Sequence, residues 1–117
     1  MRLHHVQVSC PVGGEEAARA FYADALGLTE VAKPPALAAR GGVWLREPGL
    51  ELHVGVEAGF APARKAHPAF AVDDVDAVAR AVGAAGFPVA WDDDLPGFRR
   101  FYTADGAGNR VELLQPL

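Results

Sequence analysis

The chain has 117 residues, half of them apolar and 22% charged, with a formal net charge of −4. That length holds one domain with a real core and excludes two independent ones. The 11 Lys and Arg residues form no basic stripe, so the footprint of a nucleic-acid groove is missing, and no apolar run approaches a membrane span. MRLHHVQV lacks the layout of a signal peptide, which makes the cytoplasm the expected location. The single cysteine, Cys10, excludes an internal disulfide framework and a cysteine-rich zinc site.

In chain order, LHHVQVSC alternates with period two and predicts a strand. EEAARAFYADAL, from Glu15 to Leu26, puts Ala18, Phe21, Tyr22 and Leu26 on one helical face, and Gly27 closes it. PPALAARGG is a breaker-rich connection, after which VWLRE and LELHVGVE predict two strands joined at Pro48-Gly49. AHPAFAV then predicts a strand, Asp73 to Ala85 a helix ending at Gly86, and FPVAW, RRFYTAD and NRVELLQ three more strands. The order strand, helix, strands thus occurs twice, over about 1–57 and 66–117, with the seam in GFAPARKA. A half of this size cannot bury a helix-covered sheet alone, so the expectation is one α+β domain of two paired modules with helices outside.

Glu112 sits between Val111 and Leu113 in the last of these strands. A carboxylate in such a place must neutralise, find a cation or sit at a metal. Strand parity puts His5, Gln7 and Ser9 on one face of the first strand. In LELHVGV it sends Glu51 and His53 away from the apolar face of Leu50, Leu52, Val54 and Val56. His67 opposes Phe70 and Val72, and Glu112 opposes Val111 and Leu113. His5 precedes Glu51 by 46 positions and His67 precedes Glu112 by 45, so each half offers one histidine and one glutamate on the face its helix does not cover. A pseudo-twofold relation would gather His5, Glu51, His67 and Glu112 around a divalent ion, for which imidazole and carboxylate suit Fe, Co, Ni, Mn or Zn and leave positions open for chemistry. Parity places His4 with Val6, off that face. Asp92, Asp93 and Asp94 lack the spacing of a calcium loop and read as a solvated turn.

Strand LHHVQV, helix EEAARAFYADALGL, strand LELHV, and the closing AHPAFAV and DGAGNRVELLQP resemble the vicinal oxygen chelate superfamily, which groups glyoxalase I, bleomycin-type resistance proteins, fosfomycin-modifying enzymes and extradiol dioxygenases. The resemblance covers essentially the whole chain and implies paired βαβββ modules forming an open cleft around a metal. It implies His5, His67 and Glu112 as ligands, with Glu51 at the position of a fourth ligand found in glyoxalase I. Glu51 or Glu112 would then also serve as the catalytic base. Trp44, Arg100 and Tyr102 match positions that line the substrate cleft in the fosfomycin branch. Gln7 and His53 share the ligand face as candidate donors to substrate or ligands.

Three positions depart from the family. Ser9 stands where glyoxalase I has an arginine for glutathione, Gly55 where it has an asparagine, and Asp105-Gly106-Ala107-Gly108 lacks the proline of the usual Asp-Pro-x-Gly turn. The resulting expectation is a divalent-metal-dependent lyase or isomerase acting on a small substrate with vicinal oxygens, without the glutathione apparatus. The alternatives are a metal-free ligand-binding protein of the bleomycin-resistance kind and an extradiol-type dioxygenase using iron and three ligands. A homodimer is expected, since family members with one pair of modules per chain often complete their sites between two chains.

Overall fold

In a computed structural model that describes residues 1–117, the chain forms two four-stranded mixed sheets with few helices. The first half runs β1 (Val6–Cys10), α1 (Glu15–Arg19), β2 (Thr29–Val31), α2 (Pro35–Ala38), β3 (Val43–Glu47) and β4 (Leu50–Val56). The second half runs β5 (Ala69–Ala71), α3 (Val75–Ala84), β6 (Ala90–Asp92), β7 (Phe98–Ala104) and β8 (Arg110–Pro116). The sheets share one topology: β1-β4-β3-β2 and β5-β8-β7-β6. In each, the first strand pairs parallel with the last, through a crossover that carries the helix, and the others pair antiparallel. This is the α+β architecture the two-fold sequence pattern predicts.

Helix α1 does not continue in α-geometry to Leu26. From Ala20 to Ala25 it widens into a π-helical turn. The wider turn carries the consecutive aromatics Phe21 and Tyr22, both fully buried. Two further elements differ from the sequence reading. The segment Thr29–Val31 is a short edge strand against β3, and Pro35–Ala38, expected as connection, makes one helical turn opened by its proline. Helix α3 starts as its sequence demands, with the Asp74 side chain accepting from the Ala77 backbone N–H at 2.9 Å.

One core joins both halves. Leu45, Leu52 and Val54 of the first sheet, Phe101, Val111 and Leu113 of the second, and Phe21, Tyr22, Val75 and Val82 of the helical layer are buried in a single cluster. The rings of Phe21 and Phe87 meet edge to face at 5.0 Å, and the Tyr22 hydroxyl donates to Asp105 at 2.6 Å. Asp105 also accepts from the backbone N–H groups of Ala107 and Asn109 and from the Asn109 amide, all at 2.9 Å. The same amide donates to the Ser9 carbonyl at 2.7 Å, so the β7–β8 turn is tied to β1. Gly106, where the family turn would carry proline, explains the departure. A Cβ there would stand 2.7 Å from the Ala17 Cβ and 2.8 Å from its carbonyl, so α1 lies too close for any side chain.

Candidate metal and substrate cleft

Alternation along the strands separates a core face from a cleft face. On β8, Val111 and Leu113 go to the core, and Glu112 lies on the cleft face opposite Ala69 of β5 and Tyr102 of β7. Although it points away from the core, Glu112 is only 5% exposed. Its Oε2 lies 3.0 Å from His67 Nε2, and its Oε1 accepts from Arg100 at 3.0 Å. Arg100 donates its remaining edge to Asp92 Oδ1 at 2.7 and 3.0 Å. The charge that looked unplaceable in the sequence is therefore compensated within the protein by a guanidinium and an imidazole.

His67 lies two residues before β5 and continues its cleft-facing parity. Its Nδ1–H donates to the Lys65 carbonyl at 2.7 Å. That fixes the ring and leaves Nε2 to face Glu112. The donor set fits a divalent ion. A ring nitrogen whose partner nitrogen is held by a carbonyl is the usual arrangement of a ligating histidine. Two ligands at about 2.1 Å from one ion and at right angles stand about 3 Å apart, the separation seen between Nε2 and Oε2.

The first sheet is built differently. His5 precedes β1, is exposed, and stacks on His53 at 4.2 Å, while His53 stacks on Trp44 at 3.9 Å and 1°. The register puts Gln7, His53 and Trp44 side by side across β1, β4 and β3, so this layer is the cleft face of the sheet. His53 is buried and its Nε2 has no partner. Burial, then the neighbouring His5, hold its pKa below the ordinary histidine value, so the ring is neutral at neutral pH. Glu51 pairs directly across the hairpin with Arg46, which holds the carboxyl below its usual range. His4 sits with its Nδ1 2.9 Å from that of His5. Gly55 is a cradle, because a Cβ there would stand 2.8 Å from the Gln7 amide nitrogen, so the Gln7 side chain lies over the bare backbone.

Within one chain, then, His67 and Glu112 come together, and His5 and Glu51 do not join them. No group of three or more His, Cys, Asp or Glu side chains able to hold a metal forms. Arg100, expected as a substrate contact, is engaged by Glu112 and Asp92. Asp92, read from the sequence as part of a solvated turn, is the outer anchor of that arrangement. Tyr102 meets the His67 ring edge-on at 5.4 Å and carries the Arg110 guanidinium over its face at 3.9 Å. A cavity of about 430 Å³ opens between β1 and the lead into β5, with Gln7, Ser9, His67, Asn109 and Arg110 in its wall.

Two modules of one topology and a cleft face carrying histidines and glutamates in matching register define a paired βαβββ cleft protein. The chain belongs to the Glyoxalase/Bleomycin resistance protein/Dioxygenase superfamily, whose family model matches residues 2–113. It is similar to a glyoxalase family protein from Bacillus anthracis, at 43% identity and TM-score 0.95, covering 100% of this chain and 96% of that one. The antibiotic-binding protein TnmS3 from a Streptomyces species is 26% identical, with TM-score 0.72 and coverage of 100% and 99%. A lactoylglutathione lyase from Agrobacterium tumefaciens is 25% identical, with TM-score 0.70 and coverage of 98% and 96%. No curated protein matches the chain. No helix is long and apolar enough to cross a membrane.

Proposed function

We propose that the protein is a divalent-metal-dependent enzyme of the lyase or isomerase type, acting on a small substrate that presents neighbouring oxygens. The observation that carries this reading is the His67–Glu112 pair, pre-set at 3.0 Å with the far nitrogen of His67 tied to a carbonyl and the far oxygen of Glu112 tied to Arg100. His67 and Glu112 would hold the ion from one chain. His5 and Glu51 would complete the set from a second copy, which makes the working unit a homodimer. The exposure of His5 supports this, since a second copy can reach it. Bound there, a divalent ion supplies Lewis acidity toward a substrate's paired oxygens. Glu51 is the better candidate for moving a proton. It is held only by Arg46, whereas Glu112 is engaged on both oxygens.

The test is metal uptake by elemental mass spectrometry on tag-free protein, followed by a mixing experiment. His5→Ala and Glu112→Ala, each unable to bind, are expected to regain one ion per mixed dimer when subunits exchange, because one of the two shared sites in a mixed dimer is then intact. No uptake of nickel, cobalt, manganese, iron or zinc by the native protein would overturn the reading. It would leave the second one, a metal-free ligand-binding protein working in the cytoplasm like the first. That alternative draws support from the Glu51–Arg46 pair and from the Trp44–His53–His5 stack, a ready aromatic wall for a flat ligand.

A further inference from the structure

Partial burial and ion pairing divide the eight arginines other than Arg110 into two kinds. Arg19, Arg46, Arg99 and Arg100 each pair with carboxylates. Arg2, Arg40, Arg64 and Arg80 are exposed and solvated. Arg110 belongs to neither: it is half-buried, and no carboxylate pairs with its guanidinium. Its place is set by the fold. As the first residue of β8 it stands opposite Ala104, whose small side chain leaves it free to fold over the Tyr102 ring at 3.9 Å. Stacking on an aromatic face holds the guanidinium plane and leaves its N–H edges available, the arrangement that suits bidentate capture of a planar anion.

Arg110 belongs to the wall of the 430 Å³ cavity that also includes His67. The Gln7 amide and the Ser9 hydroxyl line the same cavity as neutral donors, and the lining's one carboxylate, Glu57, is exposed at its rim. We propose that Arg110 is a specificity-determining residue of this cavity and that it selects substrates carrying a carboxylate beside the group presented at His67 and Glu112. The inference deepens the metal-dependent reading above and rests on it for the position of the reacting group. Its own observation, a half-buried cation that no carboxylate pairs with, is independent of any metal. Partly desolvated charge of this kind is normally compensated, and here the compensation is left to a ligand.

The test uses a matched pair of chelators on the cobalt-loaded protein, read in the visible spectrum of the ion. Succinohydroxamate and butyrohydroxamate differ only in a carboxylate against a methyl group. The expected result is at least a tenfold preference for succinohydroxamate, reduced to within twofold in Arg110→Gln and partly kept in Arg110→Lys, with butyrohydroxamate bound equally by all three. Equal affinities for both probes in the native protein, or an unchanged preference in Arg110→Gln, overturn the proposal and leave the metal reading intact. If the protein takes up no cobalt, the metal reading fails, and succinate is titrated into the metal-free protein while the Arg110 Nε–H resonance is followed. A saturable shift of that resonance, matched by succinate affinity that falls at least tenfold in Arg110→Gln when measured by calorimetry, then supports the anion site, and no shift overturns it.

Discussion

The Tyr22 hydroxyl ties the π-helical turn of the first module to the β7–β8 turn of the second, and the substitution Tyr22→Phe removes that tie and nothing else. The bond is short, 2.6 Å, fully buried, and made to a carboxylate. Charge-assisted bonds of this kind contribute roughly 1.5–3 kcal/mol. Asp105 keeps its three other donors, from Ala107 and Asn109, so it is not left bare, and the lower part of the range applies. The expected loss is about 1.5–2 kcal/mol, which for a chain of this length lowers Tm by roughly 6–8 °C. Burial and the adjacent Asp105 also raise the Tyr22 pKa far above the ordinary tyrosine value. A raised folded-state pKa stabilises fully below the unfolded value near 10 and loses that contribution as pH climbs past it. Stability attributable to Tyr22 therefore falls by about 1.4 kcal/mol per pH unit above roughly pH 10. Urea melts at pH 8 and pH 11 measure both effects, and the gap between native protein and variant is expected to close to about half a kcal/mol or less at pH 11. A variant as stable as the native protein at pH 8, or a gap that stays constant to pH 11, would refute the reasoning.

Other expectations follow from single contacts. Gly42→Ala forces a Cβ to 2.2 Å from the Val54 carbonyl at a φ of +83°, and about 3 kcal/mol or more of destabilisation should appear in a denaturant melt. Gly49→Ala, at φ +81° with open space around it, should cost only about 1–2 kcal/mol, and equal losses at the two sites would contradict the packing argument. His67→Gln removes the ring nitrogen presented to Glu112, so metal uptake should be abolished while circular dichroism keeps the native spectrum; uptake retained in full would exclude His67 as a ligand. Arg46→Gln frees Glu51 from its cross-strand partner. Metal affinity should then rise if Glu51 is a ligand and stay unchanged if it is not, a difference a competing chelator measures.

Period-two alternation made the two faces of each sheet readable from the sequence, because a one-residue slip would expose every core side chain at once. Leu52 and Val54, Val111 and Leu113, and with them the cleft-facing Glu51, His53 and Glu112, follow from that rule. The Arg46–Glu51 pair was within reach, since a turn at Pro48-Gly49 sets these residues opposite each other. The Asp92–Arg100–Glu112 chain was not, because it depends on the register of β6 against β7, which a three-residue strand does not announce. Tyr22 and Asp105 are 83 positions apart, and only the packing of α1 against the second module brings them together. Helix α2 and strand β2, each three or four residues long, carry too little pattern to show through flanking breakers.

The cleft face is finished unevenly, and the unevenness has a physical cause. On the second sheet a buried carboxylate must be compensated before any ligand arrives, so Arg100 and His67 are drawn to Glu112 and the half-site is rigid. On the first sheet Glu51 meets a cross-strand arginine and His5 stands in solvent, so neither needs a further partner for folding. A site divided in this way has one half organised by stability and the other available for association. Compensation explains Arg100 and leaves Arg110 without an ion pair, because the two carboxylates of that arrangement, Glu112 and Asp92, are both engaged by Arg100. What remains for Arg110 is a counter-charge from outside the chain.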